Sequence, residues 1–117
     1  MKQPLNVYVS GVSAGGTYDE VEAERVPRGE IWLLRSISFV DLDNALTGNA
    51  DIRVNLGIGH IKVASYATPS AGFVTNHSCY LVLRPGNALT VRFTGATSGD
   101  RLEVFASGWR YALDCEE

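Results

Sequence analysis

A chain of 117 residues with 45% hydrophobic and 20% charged residues has the size and composition of one folded globular domain, which excludes a disordered chain. The net charge is −3 and the 10 Lys and Arg residues stand singly, so the sequence lacks the basic surface expected of a nucleic-acid binder. No run approaches the roughly 20 apolar residues of a membrane-spanning helix, and the first residues lack the apolar core of a signal peptide. We therefore expect neither nucleic acid nor membrane as a partner, and synthesis in a cytoplasm.

The first residues predict a strand that is followed by a flexible turn. Leu5 to Val9 alternate between apolar and polar side chains, and the pattern breaks at Gly11 and at Gly15-Gly16. We interpret residues 1–16 as an N-terminal strand or arm, and residues 17–117 as a single β-sandwich domain. Residues 17–26 are weakly amphipathic and favour a second strand, with a short helix as the alternative.

The central strand is predicted over residues 30–41, directly after a Pro-Gly turn. Apolar side chains occupy both parities of this strand: Ile31, Leu33, Ile37 and Phe39 on one, and Trp32, Leu34 and Val40 on the other. Such a pattern indicates burial on both sides for part of the strand. One side is then expected to face the core and the other a neighbour or partner.

A hairpin is predicted next, because apolar residues alternate from Ile52 to Ile58 and then change parity. A two-residue turn at Gly59-His60 explains the change and would pair Ile58 with Ile61 on one face, and a bulge is the alternative. Further strands are indicated over 73–83, as one long strand or two broken strands, over 89–93 and from 102 onward. Gly108 is interpreted as a bulge that brings Trp109, Tyr111 and Leu113 to the core side.

The fold class follows from this count. About eight strands, with turn signals every ~8–12 residues and no convincing helix, predict an all-β protein, an antiparallel β-sandwich with a jelly-roll-like arrangement.

No catalytic, cofactor or metal signature is found. His60 and His77 lie in no triad or metal-binding motif. The segment Asp41-Leu42-Asp43-Asn44 is similar to the start of a calcium loop, but Ala45 occupies the fifth position and no glutamate closes it, which favours a solvated turn. Cys79 and Cys115 are interpreted as a buried thiol and a tail thiol rather than a disulfide.

The apolar residues that a lone sandwich core would not use are the candidates for a binding surface. We expect a set of subunit-interface or ligand-facing residues: Trp32, Leu34, Val40, Trp109 and Tyr111. The alternative is a carbohydrate-binding module in which Trp32, Trp109 or Tyr111 stacks on sugar rings. Closed symmetric oligomers are common among soluble proteins, so we expect the chain to associate with itself.

Three motifs carry a resemblance to a known group of proteins: Val-Pro-x-Gly-Glu-x-Trp at 26–32, the Arg-Pro-Gly corner at 84–86, and the ending Gly-Asp-x-Leu-x-Val-Phe-Ala-Ser-Gly-Trp-Arg-Tyr at 99–111. This order over residues 26–113 resembles the small β-sandwich structural proteins of tailed bacteriophages, among them capsid decoration proteins of the cement or head-fibre type. The resemblance implies a non-enzymatic virion protein, a homotrimer, with the major capsid or another virion protein as its partner. It implies a place in the virion after synthesis in the bacterial host cytoplasm, and it transfers no binding residue.

Overall fold

A computed structural model describes residues 2–68 and 70–113, and it contains strands and no helix in these ranges. The strands are β1 (Lys2–Val12), β2 (Tyr18–Glu22), β3 (Glu30–Asp41), β4 (Asn49–Asn55), β5 (His60–Ala67), β6 (Thr75–Leu83), β7 (Ala88–Thr94) and β8 (Arg101–Ala112). No helix that would be long and apolar enough to cross a membrane occurs in the same ranges.

The eight strands form two antiparallel sheets of four. The first sheet has the order β1-β8-β3-β6 and the second has the order β2-β7-β4-β5. Strands therefore pair as β1 with β8, β2 with β7, β3 with β6 and β4 with β5, as in a long hairpin wound into two layers. This is the strand order of a jelly roll, and it confirms the predicted all-β sandwich.

The N-terminal segment contributes β1, which is a full member of the first sheet. Every residue from Lys2 to Val12 is opposite a residue of β8, from Tyr111 back to Arg101. Leu5 of this strand is buried with the rest of the core. Residues 2–12 therefore belong to the sandwich itself and do not form a separate arm before residue 17.

A β-bulge at Arg35 explains the apolar pattern of β3. Leu34 is opposite Gly108 of β8 and Ser36 is opposite Ser107, so Arg35 is an extra residue on β3. An extra residue reverses the parity of everything that follows it. Leu34 before the bulge and Ile37 after it are consequently both fully buried on the core side.

The bulge therefore lies in β3, and the predicted parity change at Gly108 in β8 is wrong. The pairing of β8 with β1 is regular through this point, with Leu5 opposite Gly108 and Pro4 opposite Trp109. Because Leu5 faces the core, Gly108 does so too, and Trp109 lies on the outer face of the sheet.

The β4–β5 hairpin has a longer turn than predicted. Asn55 is opposite His60, and the turn is closed by a hydrogen bond of 2.8 Å from the Leu56 amide to the Gly59 carbonyl oxygen. A register shift between Ile52 and Arg53 adds a bulge. The predicted two-residue turn at Gly59-His60 is wrong, and Ile58 is 97% exposed.

The core fills the space between the two sheets. Phe39 of β3 and Phe93 of β7 are both fully buried, and their ring centroids lie 6.0 Å apart at an interplanar angle of 83°. This edge-to-face contact joins the two layers at the centre. Other fully buried large side chains are Leu34, Ile37, Ile52, Leu83, Leu102, Val91 and Val104.

Candidate functional site

The outer face of the first sheet carries a row of apolar side chains that crosses all four strands. Trp109 of β8 is opposite Pro4 of β1 on one side and opposite Leu33 of β3 on the other, and Leu33 is in turn opposite Val82 of β6. Residues that are opposite one another share a face of the sheet and contact each other. We call Pro4, Trp109, Leu33 and Val82 the apolar row.

A second row contains an exposed aromatic pair. Tyr8 of β1 is opposite Phe105 of β8, with ring centroids 5.0 Å apart, and their exposed fractions are 57% and 39%. The Tyr8 hydroxyl donates a hydrogen bond of 3.1 Å to Glu103. Beside the pair lies a shallow depression of about 230 Å³ whose polar lining comes from Asn6, Ser36, Ser38 and Ser107.

Cations cover two of the outer aromatic rings. The Lys2 ammonium lies 4.3 Å from the ring centroid of Trp109, and the Arg35 guanidinium lies 4.0 Å from that of Tyr80. Such contacts are attractive because the ring face carries negative charge density. One face of the half-buried Trp109 indole is therefore already occupied within the chain.

The outer face of the second sheet carries mostly charged side chains, with an exposed aromatic ring on β2. Glu20 pairs with Arg92 at 2.7 Å, and Asp51 lies 3.9 Å from Arg53. His60 lies beside two of these groups, 3.8 Å from Glu20 and 3.3 Å from the Arg53 Nε. Paired charges of this kind suit contact with water. The two faces of the sandwich thus differ in chemistry.

Three of the five predicted interface residues are buried inside the chain. Trp32 is 6% exposed, Leu34 is fully buried and Val40 is 2% exposed, so none of them has surface to offer a partner or a sugar. The reason is the Arg35 bulge, which turns Trp32 and Leu34 to the core, where the Trp32 indole N–H donates to Glu30 at 2.9 Å. Trp109 and Tyr111 are half-buried on the outer face, as a candidate surface requires.

The structure brings four residues to this surface that are not among the predicted interface residues: Tyr8, Leu33, Val82 and Phe105. These residues come together only through the pairing of strands that are far apart in the sequence. Once the jelly-roll order is assumed, β1 pairs with β8 and β3 with β6, and the cross-strand rows follow from the register.

A group of carboxylates lies at one end of the sandwich, where the β3–β4 and β7–β8 loops meet. One carboxylate oxygen from each of Asp41, Asp43 and Asp100 lies within 4.8 Å of the other two. Among residues 2–68 and 70–113 this is the one set of three His, Cys, Asp or Glu side chains close enough to share a metal ion. The fold therefore places Asp100, which is distant in sequence, beside the segment 41–44. The spacing of residues within that segment does not predict this contact.

Burial, hydrogen bonds and neighbouring charges shift the pKa values of these three carboxyl groups. Burial and the neighbouring Asp100 carboxyl raise the pKa of Asp41 to about 6. Hydrogen bonds and the charge of Arg101 lower the pKa of Asp43. Burial opposes ionisation of Asp100, but hydrogen bonds from Asp41, Asn44 and Thr97 outweigh it and lower the pKa of Asp100.

In the part of the chain that the structure describes, the remaining candidate groups form no second cluster of metal-binding side chains. The His77 ring nitrogen is hydrogen-bonded to the Tyr66 hydroxyl. Cys79 is a free, half-buried thiol whose pKa is raised by burial, and it donates to the Leu34 carbonyl oxygen at 3.3 Å. Cys115 lies outside the described residues, so its predicted free thiol stays a prediction.

Comparison with known proteins adds a structural likeness only. No family model matches the chain, and no curated protein matches it. The chain is similar to the NLP core of Drosophila, whose structure was described in relation to pentamer formation and histone binding. The TM-score is 0.44 at 15% identity, over 90% of this chain and 98% of that one. The fold assignment given above rests on the strand order of this chain.

Proposed function

We propose that this chain is a non-enzymatic structural protein of a bacteriophage particle that assembles with copies of itself through the outer face of the first sheet. The observation that supports the proposal is the contrast between the two outer faces, one crossed by the apolar row and the other covered by paired charges. The phage particle comes from the sequence resemblance, which favours a capsid decoration role and synthesis in the bacterial host cytoplasm.

The chemistry of the first face is that of a protein interface. Aromatic residues are enriched at the centre of such interfaces, and charged residues are rare there. Val82 is 53% exposed and Tyr8 is 57% exposed, because both lie on a sheet face that no other layer of the described residues covers. Exposed apolar side chains that share one face of a protein mark binding surfaces.

Three copies in a ring is the assembly that we propose, because the resemblance is to trimeric virion proteins. In a ring, each copy places one surface against a different surface of the next. The first face of one copy is then covered by its neighbour, and the charged face of the second sheet remains in water.

Assembly is tested by size exclusion coupled to light scattering at micromolar concentration. We expect a mass near three chains for the wild type. Val82→Glu places a charge in the apolar row and should reduce the mass to that of one chain, because a buried unpaired charge opposes association. Asn49→Glu adds the same charge to an exposed strand residue of the second sheet and should leave the mass unchanged.

Circular dichroism of both variants must show an intact fold for the comparison to count. A wild-type monomer would contradict assembly and favour the carbohydrate-binding alternative, with Tyr8 and Phe105 as the stacking pair beside the polar depression. An oligomer that Val82→Glu leaves intact would place the interface elsewhere.

The virion role is tested separately on purified particles. Mass spectrometry should find the chain in many copies per particle, in proportion to a capsid or tail component of known copy number. Absence from particles that are otherwise complete would contradict the role, whatever the oligomeric state of the isolated chain.

A further inference from the structure

The carboxylate cluster of Asp41, Asp43 and Asp100 contains a buried oxygen atom that has no hydrogen-bond donor. Asp41 is the last residue of β3 and only 1% exposed. Its Oδ1 accepts hydrogen bonds from the backbone amides of Asp43 at 3.0 Å and Asn44 at 3.1 Å. Its Oδ2 is buried and accepts none, and the group beside Asp41 is the Asp100 carboxyl, which can share a proton with it but supplies no positive charge. A buried carboxylate oxygen without a donor is costly and calls for a positive partner.

The second buried carboxylate is already held in place. Asp100 is 1% exposed, and its Oδ1 accepts from the Asn44 side-chain amide at 2.7 Å while its Oδ2 accepts from the Thr97 backbone amide at 3.0 Å. These bonds fix the orientation of Asp100 and leave lone pairs on both oxygens. They bring no cation to the cluster.

The local charge is unbalanced. Asp43 is paired with Arg101, whose Nη2 lies 2.9 Å from Oδ1 and whose Nε lies 3.2 Å from Oδ2. Arg101 is thus the counter-charge of Asp43, and within residues 2–68 and 70–113 no cation is paired with either buried carboxylate. When all three groups are ionised, the cluster lacks two positive charges.

We propose that the unpartnered Oδ2 of Asp41, together with Asp43 and Asp100, binds a calcium ion. All the available ligands are oxygen atoms, which suit hard cations and not zinc or copper. Calcium is preferred over magnesium because it accepts irregular sets of protein oxygens, whereas magnesium demands near-octahedral geometry. The site does not depend on the proposed assembly, since it lies in the loops at the end of the sandwich.

The bound ion would hold together three connections between strands: β3–β4, β7–β8 and, through a backbone hydrogen bond, β1–β2. Asp41 ends β3, Asp43 belongs to the β3–β4 connection that follows it, and Asp100 belongs to the β7–β8 loop. The Asp100 carbonyl oxygen also accepts from the Ser13 amide at 2.9 Å, which ties the β1–β2 turn to the same point. Calcium is therefore expected to stabilise the folded chain by mass action, since the unfolded chain does not bring these residues together.

Thermal unfolding of the full chain at pH 7.5 tests the site, with EDTA compared with millimolar CaCl₂ at matched ionic strength. We expect calcium to raise the Tm by about 5 °C or more. Isothermal titration of the unaltered chain with CaCl₂ should give one site per chain. Magnesium should give a smaller rise.

Asp41→Asn keeps the acceptor for the two backbone amides and removes the carboxylate oxygen that the ion needs. Its Tm should therefore no longer respond to calcium. Asp51→Asn, which removes a carboxylate from the second-sheet face, should respond as the wild type does. A wild type without a calcium-dependent Tm shift or binding heat would overturn the proposal, as would an Asp41→Asn variant that responds fully.

Discussion

Replacing Gly108 with alanine is expected to destabilise the fold by more than about 4 kcal/mol or to prevent soluble expression. A Cβ atom at this position would lie 1.9 Å from the Leu33 carbonyl oxygen, 2.9 Å from the Leu33 carbonyl carbon and 3.0 Å from the Leu34 Cα. All three are backbone atoms, so no side-chain rotation relieves the clash. Relief would require β8 to move away from β3 where the Arg35 bulge begins.

Gly59→Ala is the matched control, because a Cβ there would meet nothing within 4 Å and the residue has no positive φ. It should change stability by no more than about 0.5 kcal/mol. Denaturant unfolding at one protein concentration compares the variants, since the stability of an oligomer depends on concentration. A Gly108→Ala protein within about 1 kcal/mol of the wild type would mean that β3 and β8 approach less closely here.

The regular parts of the fold were predictable because local alternation determines which face of a strand is buried. In β7, Leu89, Val91 and Phe93 alternate as predicted, and all three are buried. In β8, Leu102 and Val104 follow the same rule. Strand number and fold class depend only on such local patterns and on the turns between them.

The faces of β3 were not predictable in this way, because a bulge is a property of a strand pair. Apolar residues on both parities are equally consistent with a strand buried on two sides and with a strand that shifts parity halfway. Arg35 is charged and exposed, and only its position opposite the Gly108–Ser107 step of β8 shows that it is the extra residue. The interface assignment of Trp32 and Leu34 failed for this reason.

The carboxylate cluster was likewise not predictable from the sequence, because it forms between two loops that are distant in the chain. The segment from Asp41 to Asn44 is similar to the start of a calcium loop, but Ala45 and the lack of a closing glutamate favour a solvated turn. The third carboxylate comes from Asp100, in a loop that the β3–β8 pairing brings alongside, with the Leu42 amide donating to the Arg101 carbonyl oxygen at 2.9 Å. Local spacing carries no information about such a meeting of distant loops.

Phe39→Ala should destabilise the chain by about 3–5 kcal/mol, the usual range for removing a buried phenylalanine. Phe39 is fully buried on β3 of the first sheet, and its ring meets Phe93 of β7 and Tyr66 of β5, each with centroids 6.0 Å away. Its removal leaves a cavity between the sheets, because both partners belong to the opposite layer and the strand pairing prevents the layers from closing over it.

Phe73→Ala removes the same side chain from a loop position that is 47% exposed and should cost about 1 kcal/mol or less. A double-mutant cycle with Phe93→Leu isolates the edge-to-face contact, for which we expect a coupling of about 0.5–1.5 kcal/mol. Equal losses for Phe39→Ala and Phe73→Ala in urea unfolding would contradict the placement of Phe39 at the centre. The coupling energy is the sharper measure, since an additive pair would mean that the two rings do not touch across the layers.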